Sequence, residues 1–364
     1  MKTGLNLDDF VAETERQAKT KRDFKAPSPA LSMHEARLES PPLSPQGFPM
    51  RFNLQVGNVG EFPVRQTAHT QIATRLKIPM NYYERMMKED GGILSANVNH
   101  WLRAQAEHRM VRTIDGQARA YLSDKYRPLD NFDLLRVVRP VLEEAPGMRF
   151  ESVAITEDKF YVKAFTDKIE GEVKVGEPVQ AGVLIQNSEV GQGSLRIEPM
   201  ILVLRCLNGA VVQAAGMRRF HVGRGEEELE EAAEFFTDAT RRAEDEAFWR
   251  KVVDVARASF DEVQFGRILE KYRQATKTAI PRDVSLDDVV EITQSRYGLS
   301  DGERDSVLKN LINGHDLTQW GLSNAITATS QDDALSYDRA SDLERFGGQV
   351  LELNQKQWGE ALKN

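Results

Sequence analysis

The chain opens with a short stretch of helical spacing and then loses it. Leu5, Asp8, Val11 and Glu15 recur at helical intervals and predict a short helix or tail within residues 1–25. Residues 26–50 hold six of the fourteen prolines, with serines among them and almost no apolar period, so an extended tether rather than core is expected there. From Phe52 the pattern becomes globular. Residues 70–76 and 80–88 read as two helices parted at Ile78-Pro79, with the proline opening the second. Residues 94–107 carry Leu94, Val98, Trp101 and Leu102 at helical spacing.

The period then changes to two. Residues 110–114 and 117–122 flank Asp115-Gly116, a strong two-residue hairpin signal. A helix follows over 131–143, with Asp130 as its N-cap. Strands are expected at 149–156 and 160–166, around a Glu157-Asp158 turn, and within 179–212. Helical spacing then governs 226–260, 263–277, 286–297, 301–312, 318–330 and 336–346. Strands in the middle and helices at the end predict an α+β fold: a core domain with flanking helices over 51–224, then a helical domain over 225–364.

Charge divides the chain along the same line. The net charge is −8, yet residues 51–224 hold 24 Lys and Arg against 20 Asp and Glu, while 225–364 hold 17 against 29. A polyanion partner therefore belongs to the middle, and the helical tail is acidic. The one cysteine, Cys206, excludes a disulfide framework and a thiolate metal cluster. No apolar run approaches membrane length and the first residues lack an apolar signal core, so a cytoplasmic protein without a membrane partner is expected.

The common catalytic signatures are missing. No phosphate-loop motif occurs, and Gly191-x-Gly193 runs into a strand pattern rather than a helix. The six histidines form no H-E-x-x-H, and no G-x-S-x-G elbow is present. No enzyme, cofactor or metal is expected.

What remains is a concentration of cations and rings. An in-register hairpin sets Arg112 opposite Arg119, beside Tyr121. Like charges facing across a ladder are destabilising, so either a phosphate backbone or a buried carboxylate must neutralise them. Lys125, Tyr126 and Arg127 follow in a polar turn; Tyr161, Lys163 and Phe165 share a strand face; Arg218, Arg219, His221 and Arg224 close the basic region. Cations for phosphates and rings for unstacked bases predict a binder of single-stranded DNA. A second expectation starts from 70–88, whose spacing resembles a helix-turn-helix that reads duplex DNA, although Tyr82, Tyr83, Met86 and Met87 make its second helix mostly apolar.

Several words of the sequence resemble a family. Leu76-Lys-Ile-Pro-Met-Asn-Tyr-Tyr-Glu-Arg-Met86, Asn97-Val-Asn-His-Trp-Leu102, Arg119-Ala-Tyr-Leu-Ser-Asp-Lys-Tyr-Arg-Pro-Leu-Asp-Asn131, Asn187-Ser-Glu-Val-Gly191, Arg205-Cys-Leu-Asn-Gly209, His221-Val-Gly223 and Thr318-Gln-Trp-Gly-Leu-Ser-Asn-Ala-Ile-Thr327 look like those of a phage/plasmid-like family of uncharacterised bacterial proteins, a domain of unknown function. The resemblance implies a mobile-element setting and supplies no catalytic residues. In outline such a protein is similar to the single-strand annealing recombinases RecT and Redβ. That analogy implies ATP-independent annealing in recombination, a homo-oligomeric ring or filament, and a host single-strand-binding protein or phage exonuclease as partner.

Overall fold

A first helix, α1 (Leu7–Thr20), starts where the Asn6 side chain accepts a hydrogen bond from the Asp9 N–H at 2.8 Å. It buries Phe10 against Phe160, ring centroids 4.9 Å apart. The computed structural model describes residues 2–36, 42–44, 50–104, 106–204, 208–212, 217–219 and 238–362.

The expected tether is strand over much of its described length. β1 (Arg22–Pro27) pairs antiparallel with β5 (His108–Ile114), and β2 (Leu31–Glu35) with β3 (Phe52–Val56). Leu31 and Met33 are core residues. Pro27 ends a strand and Pro29 sits in the 3-10 turn Ser28–Ala30, where a missing N–H interrupts no central ladder. Pro27 and Pro29 thus mark a strand end and a turn, and the alternation of Leu31 and Met33 is too short to register as a period.

Two small sheets result, β2-β3-β4 with β4 at Gly60–Pro63, and β1-β5-β6 with β6 at Gln117–Ser123. Helices α2 (Gln66–Arg75), α3 (Met80–Glu89) and α4 (Gly91–Ala104) share one core with them, holding Phe52, Ile72, Tyr83, Leu94, Val111 and Tyr121. In the predicted helix-turn-helix, α2 is thus largely buried, and α3 turns Tyr83 and Met86 inward.

A larger sheet has the order β11-β10-β9-β8-β7: β7 (Met148–Ile155), β8 (Phe160–Glu172), β9 (Pro178–Asn187), β10 (Leu195–Val203) and β11 (Asn208–Val211). A short β12 (Met217–Arg219) also pairs with β10. One face, with Phe160, Val162, Val183 and Ile185, packs against α1, α5 (Asn131–Glu144) and α6 (Asp238–Ala258).

The other face carries Tyr161 and Phe165 among Leu184, Met200 and Leu202. Of the remaining helices, α7 (Glu262–Ala275), α8 (Leu286–Tyr297), α9 (Asp301–Gly314), α10 (Gln319–Thr329), α11 (Tyr337–Glu352) and α12 (Gln355–Ala361), it is α11 that reaches this face. Glycine permits the close approach: a Cβ on Gly348 would collide with the Val211 carbonyl, and one on Gly347 with Thr327.

The fold is α+β, strand-rich in its middle and all-helical at its end. The helical region nevertheless shares a core with the sheet, where Phe265, Tyr272, Trp320 and Leu351 meet Val179 and Ile201. Helices α8, α9 and α12 contribute Val289, Leu311 and Trp358 to a further core. Among the described residues, no helix is long and apolar enough to cross a membrane.

Candidate functional site: a buried ionic hub and the cleft beside it

The Asp115-Gly116 turn forms as the sequence predicts, with both residues at positive φ (52° and 72°), the conformation a two-residue hairpin needs. Its register differs from the simple one. Thr113 faces Ala118 and Arg112 faces Ala120, leaving Arg119 as the extra residue of a bulge. The two arginines are therefore not paired across the ladder. Arg112 lies opposite Ala120 on one side and opposite Asp23 of β1 on the other.

Carboxylates, not solvent, receive both. Arg112 is 0% exposed and uses all three guanidinium nitrogens: Nε to Asp23 Oδ1 at 2.8 Å, one terminal nitrogen to the Glu189 carbonyl at 2.7 Å, the other to Asp130 Oδ1 at 2.8 Å. Arg119 donates to Glu189 Oε2 at 2.5 Å. Burial works against the charge on Arg112, but Asp23 and Asp130 outweigh it and raise the group above its ordinary value.

Glu189 is the hub. Its second oxygen accepts from the Asn131 N–H at 2.6 Å, satisfying the first turn of α5. Asp130 stands at the predicted N-cap position, yet its side chain makes no cap; it is committed to Arg112 and Lys21. Asn187 donates to the Leu129 carbonyl and to Asn131, and the Tyr126 hydroxyl to the Ser188 carbonyl. Two of the recognised words, 119–131 and 187–191, thus converge on one polar knot.

Lys163 meets the same fate on the large sheet. It is 0% exposed, donates to Glu344 of α11 at 2.5 Å and lies over the Tyr337 ring. The Tyr161 hydroxyl donates to Asp338 at 2.7 Å. Arg345, one residue along α11, pairs with Glu198 of β10 at 2.8 Å.

The expected basic face is therefore corrected. Arg112, Arg119, Tyr121, Tyr126, Tyr161 and Lys163 are interior residues and present neither charge nor ring to a strand of DNA. Alternation on β8 did group Tyr161, Lys163 and Phe165, and α11 covers that face; in the hairpin the bulge sets Arg112 and Tyr121 on opposite faces, and β1 pairs along the edge of β5. Lys125 is exposed, and half-buried Arg127 faces Glu244 at 3.7 Å. Arg218 and Arg219 lie in β12, whose backbone alone is described; His221, Arg224 and Cys206 fall outside the described residues. Sequence reasoning missed Asp23, Asp130 as an ion-pair partner, Glu189, Asp338 and Glu344. Only Asp130 and Glu189 carried a signal, being inside the words Arg119–Asn131 and Asn187–Gly191.

Beside the hub lies a cleft of about 30 Å3, lined by Arg65, Arg119, Asn131 and Glu189 and by the β7–β8 turn with Glu157, Asp158 and Lys159. Asp158 accepts from the Thr67 hydroxyl at 2.5 Å, and burial raises its carboxyl above the ordinary value. Among the described residues, no group of three or more His, Cys, Asp or Glu is arranged to hold a metal.

Residues 119–347 match the model of a family described as a domain of unknown function (DUF932). That is more than half of the chain, and the chain belongs to this family. No curated protein and no solved structure matches it.

Proposed function

We propose that this member of the DUF932 family is a cytoplasmic, ATP-independent binder of single-stranded DNA, and that it grips the strand at the β10–β12 edge rather than on a sheet face. One observation carries this: the antiparallel register sets Arg196 opposite Arg218 and Leu195 opposite Arg219. This rung, unlike the one expected at the hairpin, does bring two arginines to facing positions, and a phosphate backbone running along this edge passes both. Lys159 passes beside Gly193 in the loop that leads into β10. Exposed Lys125 belongs to the turn that Tyr126 ties to Ser188. A strand held there by its phosphates leaves its bases free for a complement, and pairing is downhill without ATP. A homo-oligomer extends the edge from one copy to the next.

Fluorescence-anisotropy titrations of a labelled single-stranded oligonucleotide across a salt series test this. Affinity should fall steeply with salt, and Arg196→Ala should flatten the slope by about 0.7 in log–log terms, one phosphate contact on a single strand. No binding at low salt contradicts the proposal. Preference for one duplex sequence would favour a duplex-reading function of the α2–α3 segment.

A further inference from the structure

The cleft contains one buried cation that no carboxylate contacts, Glu157 acting on it only from a distance. Among the described residues, the buried Lys and Arg side chains are Arg65, Arg109, Arg112, Arg119, Lys163 and Arg345. Five of them pair with a carboxylate. Arg65, 7% exposed, forms no ion pair among the described residues and donates only through Nε, to Gln117 at 2.8 Å. Burial pushes its guanidinium below the ordinary value; Glu157 opposes that, and neighbouring Arg119 adds to it. A buried cation without a partner is costly, and the cost invites an anion.

The surroundings define which anion. Arg119 also keeps a buried Nε with no acceptor. Arg65 is the N-cap of α2, whose first turn lacks a side-chain cap, so the positive end of that helix adds to the same wall. Half-buried Lys159 lines the same cleft. The volume, about 30 Å3, is room for roughly two waters behind an open rim, enough for the oxygens of one tetrahedral group and too little for a base or sugar. Glu157 and Asp158 line the same cleft and offer carboxylate acceptors. An anion that bears its own hydroxyl satisfies both the cations and the carboxylates. Protonated phosphate does so; sulfate, with no proton at neutral pH, meets the carboxylates as a repulsion.

We propose that this cleft binds a single phosphate group between Arg65 and Arg119, with its P–OH directed at Glu157 and Asp158. The group comes from free phosphate or from the phosphorylated end of a DNA strand lying on the adjacent β10–β12 edge; the second source rests on the function proposed above. The phosphate site itself does not.

Thermal melts of the full chain in phosphate and in sulfate of equal ionic strength test the site. Phosphate should raise Tm by a few degrees beyond sulfate, by mass action on the folded state. Arg65→Gln should abolish that increment. Lys159→Gln, half-buried and outside the hydrophobic cores, should reduce it, which keeps the test intact if Arg65→Gln fails to fold. Equal Tm values in the two salts, or an increment that survives both substitutions, overturn the site. Oligonucleotides with 5′-phosphate and 5′-hydroxyl ends then separate the sources: about tenfold tighter binding of the phosphorylated end assigns the strand, and equal binding assigns free phosphate. If neither oligonucleotide binds, the DNA proposal falls while the phosphate increment still decides the site.

Discussion

The hub around Glu189 and the cleft next to it share Arg119, Asn131 and Glu189, yet they solve opposite problems. In the hub, Arg112 and Arg119 share Asp23, Asp130 and Glu189. In the cleft, Arg65 has a glutamine amide. What separates Arg112 from Arg65 is therefore not a place in a basic stretch of sequence but whether the fold brings the guanidinium a carboxylate. A shared pattern of Arg and Tyr on a strand is silent on that point.

Removing residues 1–35 should have the largest effect. It strips Asp23 and Lys21 from the hub, β1 and β2 from the small sheets, and Phe10, Leu31 and Met33 from two cores. The expected product is an aggregated or molten chain without near-ultraviolet circular dichroism, and the intact protein should resist limited proteolysis between 22 and 35. A folded truncated protein would show that the hub is dispensable.

Next in size is the Lys163–Glu344 pair. Lys163→Met leaves Glu344 charged and buried, and should cost about 3–5 kcal/mol in urea denaturation. The double variant Lys163→Met, Glu344→Leu should regain most of it, because two apolar groups strand no charge. Equal losses in single and double variants would mean that packing, not pairing, governs this face.

His69 shows a third way to keep a titratable group inside: neutrality. Its Nδ1 meets the Tyr83 hydroxyl at 2.8 Å, and burial pushes its pKa down to about 3. The unfolded chain, with a histidine near its ordinary value, takes up the proton first. His69 thus contributes stability above the unfolded value of about 6.5, and that contribution is lost as pH falls toward the folded one, at roughly 1.4 kcal/mol per unit. Urea midpoints between pH 6.5 and 5 should fall more steeply for the parent chain than for His69→Gln. Parallel slopes would show that the imidazole is accessible.

Much of the architecture was legible, and the misses have physical causes. The helix at 286–297 ends where predicted, and the 131–143 helix within one residue, because each carries a clear apolar stripe and an end signal such as Gly298 in the left-handed conformation. The hairpin was found from Asp115-Gly116, but its register was off by one because Arg119 bulges, and no glycine marks that bulge. The partners were out of reach: Asp23 stands 89 residues from Arg112, and Glu344 stands 181 from Lys163. Local periodicity finds which residues share a face; it does not say what lies on it. Arg65 escaped notice for the converse reason, standing alone between a short strand and a helix.

The contrast between hub and cleft is tested most directly by urea denaturation of Arg112→Gln and Arg65→Gln side by side, without phosphate. The account predicts a loss of about 2–3 kcal/mol for Arg112→Gln, which breaks its hydrogen bonds to Asp23 and Asp130 and leaves the buried Glu189 carbonyl without its donor. Arg65→Gln should stay within about 1 kcal/mol of the parent, since no carboxylate contacts Arg65 and the lost attraction to Glu157 is offset by relief of burial and of the repulsion with Arg119. Comparable large losses in both would contradict it, making Arg65 as structural as Arg112 and the cleft a part of the core.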